Sequence, residues 1–368
     1  MIFYTVVGFL FVLTVVIFFH ELGHFLVARW CGVGIKAFSI GFGPEIVGFT
    51  DRYGTRWKLS WIPLGGYVKF IDDENVASAG RRSLEELTPE ERKRSFQGKP
   101  LAARAAVVAA GPIANFLLAI AIFTFIAIFF GQQTTAPKVD AITPGSAAER
   151  AGFLPGDRVI SIDGRAIDSF GEMQEVVADS AGVTLNFIVE RNGAQVAIQA
   201  TPELKEITDR FGNKFRIAQL GIQRNAAPDE WTMERHDPIT ALGMAVKQCY
   251  GIIDRSVRYL ANVIIGEESA DQLGGPIRIA QISGQVASIG FLPLLNLAAL
   301  ISVSIGFLNL FPIPMLDGGH LLYYAIEGVR GKPLSERSQE IGFRIGLALV
   351  LMLLIFATGN DLIHLLFS

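Results

Sequence analysis

The pentapeptide His20-Glu21-Leu22-Gly23-His24 holds the residues of this chain best spaced to do chemistry. Histidines at i and i+4 share one face of a helix, so both imidazoles can reach a single ion. Glu21, one residue along, can hold and deprotonate a water at that ion. Its setting is unusual. From Ile2 to Trp30 the chain is almost purely apolar, and before Arg29 its only acidic or basic side chains are His20, Glu21 and His24. Groups of this kind are expensive in a helix that must dissolve in lipid, and they mark a functional site.

Two ligands do not complete such a site, because a catalytic zinc takes three protein ligands and keeps one position for water. The best remaining candidate is Asp317, within Asn309-Leu310-Phe311-Pro312-Ile313-Pro314-Met315-Leu316-Asp317-Gly318-Gly319-His320. Depth is an obstacle. His24 lies five residues before Arg29 and Asp317 thirteen before Arg330; two ideal helices would leave them about 12 Å apart. Pro312, Pro314 and the paired glycines break the second helix, and broken backbone at membrane depth is tolerated where it lines a cavity. His320 could be a fourth ligand but reads as a packing residue. His236 and His364 lie outside the apolar spans or at the edge of one. Asn309, with one amide acceptor and two donors, could hydrogen-bond an unwound substrate backbone.

The elements that must position these residues follow from composition. The 368 residues are 51% hydrophobic and 18% charged, with a mean hydropathy of +0.40. That is too apolar for an ordinary soluble protein and too charged for a bare helical bundle, so spans plus a soluble domain are expected. A net charge of −3 gives no support to a nucleic-acid partner. Cys31 and Cys249 make no disulfide framework and are expected on opposite sides of the membrane, unpaired. The N-terminal run lacks a basic start, and cleavage after it would discard the pentapeptide; it is expected to remain as a span.

Apolar stretches of about 20 residues predict four transmembrane helices, at 1–30, 101–130, 291–328 (broken around Pro312 and Pro314) and 340–358. The 31–100 loop is rich in Lys and Arg, and Arg330, Lys332 and Arg337 sit in the last connection, which puts both on the cytoplasmic side. Both termini and segment 131–290 then lie outside. Within the first loop, Ile35–Ile40 and Arg56–Trp61 alternate between glycines and prolines, predicting short strands in a β-hairpin sheet. An exposed edge of that sheet could pair with an extended peptide. Residues 72–99 read as a polar loop or short helix. Segment 137–202 predicts a compact β-rich domain: two strands around a short helix and a Gly156-Asp157 turn, then helix 171–180 and strands 183–190 and 195–201. In 204–290, Phe215–Ile222 reads as a strand and 239–265 as an amphipathic helix.

Taken together, these motifs resemble the site-2 protease family of intramembrane zinc proteases, of the bacterial regulator of sigma-E protease type. The resemblance rests on His20-Glu21-Leu22-Gly23-His24, on Gly111-Pro112-Ile113-Ala114-Asn115 in the second span, and on Asn309 through Asp317-Gly318. Gly65-Gly66-Tyr67-Val68 and Leu154-Pro155-Gly156-Asp157 extend it over nearly the whole chain. It implies Zn2+ bound by His20, His24 and Asp317, with Glu21 catalytic and Asn309, Pro312 and Pro314 positioning substrate. It also implies that 135–203 is an extracytoplasmic PDZ domain, of which this chain shows one copy.

The fold class expected is therefore a multi-pass α-helical membrane protein with four transmembrane helices. It carries a cytoplasmic-side membrane-associated β-sheet and an inserted extracytoplasmic β-rich PDZ domain. The implied activity is cleavage of a single-pass transmembrane protein within the bacterial inner membrane, after a first cut outside. Membrane lipid and a peptide C-terminus in the PDZ groove are the other implied partners. Two rivals stand beside this reading. A membrane scaffold with a structural zinc would have no need of Glu21, and a zinc transporter would need a relay of intramembrane acids or histidines that the chain lacks. Gly111 and Pro112 read as close helix packing through small residues, and the role of Asn115 stays open.

Overall fold

The computed structural model describes residues 2–73, 87–208, 214–266, 270 and 274–367. Helix α1 (Ile2–Trp30) buries Gly8, Val12, Val16 and Gly23 along one stripe and Phe25 and Ala28 on another face, much of the rest of its surface being apolar and exposed or half-exposed. Strands β1 (Ile35–Thr50) and β2 (Arg56–Phe70) follow as an antiparallel pair. They are far longer than the short strands the alternation predicts. Gly41 and Gly43 take φ of 87° and 85°, a left-handed bend that lets one strand turn without ending. The register then sets Ala37–Ile40 between Arg56–Leu59 on one side and Gly66–Lys69 on the other. The pair thus curls over itself and leaves Gly66–Phe70 at an edge.

The hairpin is tied to the end of α1. Asp51 accepts from the Tyr53 and Thr55 amides and from Arg29 at 2.6 Å, and Arg29 also stacks over Phe25 and Tyr53. Burial by itself would raise the Asp51 carboxyl; the Arg29 guanidinium and those amides outweigh it and hold the group far below the carboxylate range. Helix α2 (Pro89–Arg94) opens with a capping box of Thr88 and Glu91. Most of the rest of the charged stretch, 74–86, lies outside the described residues. Helix α3 (Leu101–Phe129) carries Pro112 inside it.

Residues Ala127–Asp237 form a compact unit of their own. Its elements are β3 (Gln132–Thr134), β4 (Ala141–Ile142), α4 (Ala147–Ala151), β5 (Arg158–Ile162), β6 (Arg165–Ala166), α5 (Phe170–Ala178), β7 (Leu185–Arg191) and β8 (Ala194–Ala200). Then come β9 (Glu203–Thr208), β10 (Lys214–Gln219), β11 (Ile222–Gln223) and β12 (Thr232–Glu234). A four-stranded sheet of order β6-β5-β7-β8 carries the core around Phe153, Phe187, Val159 and Met173. β11 returns to β4 and β12 to β3, so the unit takes in residues on both sides of 135–203. The Leu154–Asp157 turn is closed from within: Asp157 is buried, accepts from the Leu154 amide, and is gripped through both oxygens by Arg191. Burial would raise this carboxyl, and the Arg191 and Leu154 contacts hold it below its ordinary value instead.

The chain then gives α6 (Pro238–Ile265), α7 (Pro276–Ile289), α8 (Phe291–Asn309), α9 (Asp317–Arg330) and α10 (Glu336–Phe367). Helices α1, α3, α8 and α10 are long and apolar enough to cross a membrane. Helices α8 and α9 are separated by a break at 310–316. Helix α7 is the element that the sequence did not suggest, because its apolar residues are interrupted by Arg278, Gln281 and Gln285. It is fixed by contact with α1: a Cβ on Gly8 would lie 2.7 Å from the Ser283 carbonyl, and one on Gly284 2.6 Å from Thr5 Cα. Cys31 and Cys249 are both free thiols.

The N-terminus of α7 is capped in trans. Asp361 on α10, 4% exposed, accepts from the amides of Gly275 (2.8 Å), Ile277 (3.0 Å) and Arg278 (3.0 Å). A carboxylate there satisfies donors that a helix start leaves orphaned and meets the positive end of its dipole. Asp361→Ala should therefore lower stability by about 1–3 kcal/mol, read as an earlier thermal transition in detergent, with Asp361→Asn falling between. An unchanged transition for Asp361→Ala would show that α7 is held by its contact with α1 alone.

Candidate active site

His20 and His24 stand one turn apart near the C-terminal end of α1, their rings 4.8 Å between centroids and nearly perpendicular. The two Nε2 atoms face each other at 3.2 Å. Asp317 Oδ2 lies 3.3 Å from the first and 3.5 Å from the second. That oxygen is buried and takes no hydrogen bond of normal geometry. The three atoms converge on one point, an arrangement that a cation could occupy. Ligand atoms at zinc's N and O distances and at tetrahedral angles lie about 3.3–3.4 Å apart, and the three separations here match. Among the described residues this is the sole cluster of metal-ligating groups. His320 is outside it and stacks edge-on against Tyr323, His236 lies in the Ala127–Asp237 unit, and the His364 side chain is outside the description.

Asp317 reaches the histidines because the helix before it stops. Helix α8 ends at Asn309, and 310–316 folds into tight turns through the Phe311 amide to Leu308, the Ile313 amide to Phe311 and the Leu316 amide to Ile313. Met315 sits at a φ of 145°, a strained value for a residue with a side chain. Asp317 then opens α9. The two glycines after it are required by space: a Cβ on Gly318 would be 2.3 Å from the Leu310 and Phe311 carbonyls, and one on Gly319 2.3 Å from that of Ile313. Gly346 of α10 seats against the Pro314 carbonyl in the same way. The break supplies the displacement that two ideal helices could not.

The imidazoles are held from behind by α3. The His24 Nδ1–H donates to the Val107 carbonyl at 2.8 Å, which leaves Nε2 bare. Asn115, fully buried, has its amide 3.2 Å from His20 Nδ1. Between these two, Gly111 faces both rings, where a Cβ would fall 2.2 Å from His24 Nε2 and 2.9 Å from His20 Cε1. Gly23 is equally tight against the Ala110 carbonyl. Positions 107, 111 and 115 form an i, i+4, i+8 row on one face of α3. That row of carbonyl, glycine and amide was not assembled by reading the sequence. The motif Gly111 to Asn115 marked part of it, but the register of α3 on α1 is set by the close contact.

Glu21 points at the edge of the curled hairpin. Its carboxylate takes a hydrogen bond from the Val68 amide and stands within electrostatic reach of His20, His24 and Asp317. A Cβ on Gly66 would lie 2.9 Å from Glu21 Cγ, so β2 can run this close to α1 only with glycine there. Asn309 terminates α8; Pro312 and Pro314 belong to the 310–316 break, Pro312 exposed and Pro314 half-buried. None of the three touches the ligand atoms in any hydrogen bond or ion pair of the described residues.

Known proteins resemble this chain over nearly its whole length. The family model described as Peptidase family M50 matches residues 8–353. A protein of Rhizobium meliloti named "Putative zinc metalloprotease" is 50% identical over 360 residues, 98% of this chain and 96% of its own length. One of Mesorhizobium japonicum under the same name is 48% identical, covering 97% and 98%. Metalloprotease MmpA of Caulobacter vibrioides is 41% identical over 379 residues, covering 97% and 94%.

Gly111→Ala tests the geometry directly. Alanine is about 1 kcal/mol the better helix former, yet its methyl group would occupy the space of the His24 ring edge. Bound zinc per chain should fall well below that of the wild type although α3 is strengthened. Full zinc occupancy in this variant would show that α1 and α3 separate easily.

Proposed function

The chain belongs to peptidase family M50, a zinc-dependent protease family, and from that premise we propose an intramembrane endopeptidase that cuts transmembrane segments. The protein is a membrane metalloprotease; the finer reading concerns its substrate, its ligands and its topology. In this reading His20, His24 and Asp317 hold the zinc and Glu21 is the catalytic base. The convergence of two imidazole nitrogens and the Asp317 carboxylate beside a second carboxylate, that of Glu21, supports it best. A scaffold with structural zinc would leave Glu21 without a purpose.

Zinc, when bound, polarises a carbonyl and makes a water more acidic. Glu21 accepts the proton of that water as its oxygen bonds to the scissile carbonyl carbon, and returns the proton to the amine as the C–N bond breaks. The Val68 amide keeps the Glu21 carboxylate aimed, and the Val107 carbonyl keeps His24 in the tautomer that can ligate. A substrate helix has all its carbonyls paired and must unwind before attack. Unwound backbone in lipid needs new partners. The Gly66–Phe70 edge can supply them by strand addition beside Glu21, and Asn309, whose amide makes no hydrogen bond in the described residues, can supply more. Pro312 and Pro314 keep the facing segment open, since neither has an amide hydrogen to close it.

The remaining parts of the reading follow from charge and composition. The Lys/Arg-rich 31–100 loop supports a cytoplasmic hairpin, which sets both termini and the Ala127–Asp237 unit outside the inner membrane. The unit's four-stranded sheet and two helices are consistent with a PDZ-like domain, which would admit substrates only after a first cut, by size or by binding the new C-terminus. The outcome would be regulated intramembrane proteolysis, such as release of an anti-sigma factor or removal of membrane-anchored peptides.

Two variants separate the roles. Glu21→Gln should reduce cleavage of a model transmembrane substrate by about 10²-fold or more while zinc stays bound; undiminished turnover would sink the mechanism. Asp317→Ala should lose zinc as well as activity, and an unchanged stoichiometry of metal would remove Asp317 from the ligand set.

A further inference from the structure

Asn115 is fully buried in the middle of α3. One end of its amide meets His20 Nδ1 at 3.2 Å. The other, Oδ1 as it stands, is buried with no partner. Helix α8 packs closely on this turn of α3: Ser302 Oγ donates to the Asn115 backbone carbonyl at 2.8 Å, and a Cβ on Gly306 would be 3.1 Å from Asn115 Cβ. The amide lies against the ring in this packed setting, and a half-turn about its last bond exchanges oxygen and nitrogen.

Which end faces the ring decides what the ring can do. A neutral imidazole carries one proton. If the amide nitrogen donates to Nδ1, that proton is on Nε2, which then has no lone pair for an ion. If the amide oxygen faces the ring, Nδ1 keeps the proton, donates it to Asn115, and Nε2 is bare. His24 is settled in this second state by a backbone carbonyl, that of Val107. His20 has no carbonyl in that place and depends on a side chain.

We infer that Asn115 is a positioning residue for the metal site: its amide oxygen accepts the His20 Nδ1–H and thereby fixes the tautomer and ring plane that present Nε2 to zinc. The inference rests on His20 being a ligand. Partners of ligating histidines typically change metal affinity by about 10–100-fold when removed. They do so without touching the ion.

The test is zinc affinity of the full-length protein in detergent, by competition with a chromophoric chelator, together with the visible spectrum of the cobalt-loaded protein. Asn115→Leu keeps the volume and removes the acceptor; it should bind zinc about 10–100-fold more weakly and shift the cobalt bands. Asn115→Asp is an acceptor only and should keep both near the wild type. Wild-type affinity in Asn115→Leu overturns the inference, and so does an Asn115→Asp variant as weak as Asn115→Leu, since that pattern belongs to a donor. His20→Ala is the control for the reading beneath: if it binds zinc like the wild type, His20 is no ligand and the site reading fails first. Should Asn115→Leu not fold, nitrogen-15 spectra of zinc-loaded wild type decide, with a proton on His20 Nδ1 expected and a bare Nδ1 overturning the assignment.

Discussion

Three electron-pair donors are held within 3.5 Å of one another inside an apolar helical unit, and nearly every irregularity nearby serves that approach. Lone pairs that close repel unless a proton or a cation lies between them. The surroundings therefore have to be rigid enough to keep the donors together. Glycines at 23, 66, 111, 318 and 319 remove the side chains that would keep the elements apart. Each sits where a single methyl group would displace a ligand, its carrier helix or the strand beside Glu21.

Rigidity of this kind comes from outside the site. Helix α1 is pinned at one end by α7, itself capped by Asp361 of α10, and at the other by the Arg29–Asp51 contact with the hairpin turn. The 310–316 loop that leads into Asp317 is pressed between α9's first turn and Gly346 of α10. Arg104 of α3 grips Glu327 of α9 through two hydrogen bonds and stacks on Tyr324. Helices that contribute none of the three donors therefore determine where the donors stand. The donors and the β2 edge that meets Glu21 are thus held in place by elements outside the cluster.

Legibility divided along the same line. The histidines and Glu21 could be read from spacing alone, because i and i+4 share a helix face whatever surrounds them. Asp317 could be nominated but not brought to the histidines, since the depth estimate for two regular helices opposed it. The turns of 310–316 overcame that objection, and they depend on contacts with residues 317–319 and with α10. The hairpin showed as alternation, but its length did not, because the strands continue through glycines that ordinarily end them. Helix α7 was missed because its polar residues hide a face defined only by what it packs on.

By itself the sequence determined which chemistry is possible here: two imidazoles, a carboxylate base, a candidate third ligand, and apolar runs long enough to put them in a membrane. Those are properties of residue type and period, which local backbone geometry converts directly into faces of a helix. The tertiary structure decided how Asp317 reaches the histidines, and that Asn115 and the Val107 carbonyl stand behind the rings. These depend on the register of one helix against another, which is fixed by close packing between residues as much as 297 positions apart (His20 to Asp317), and no local pattern encodes it.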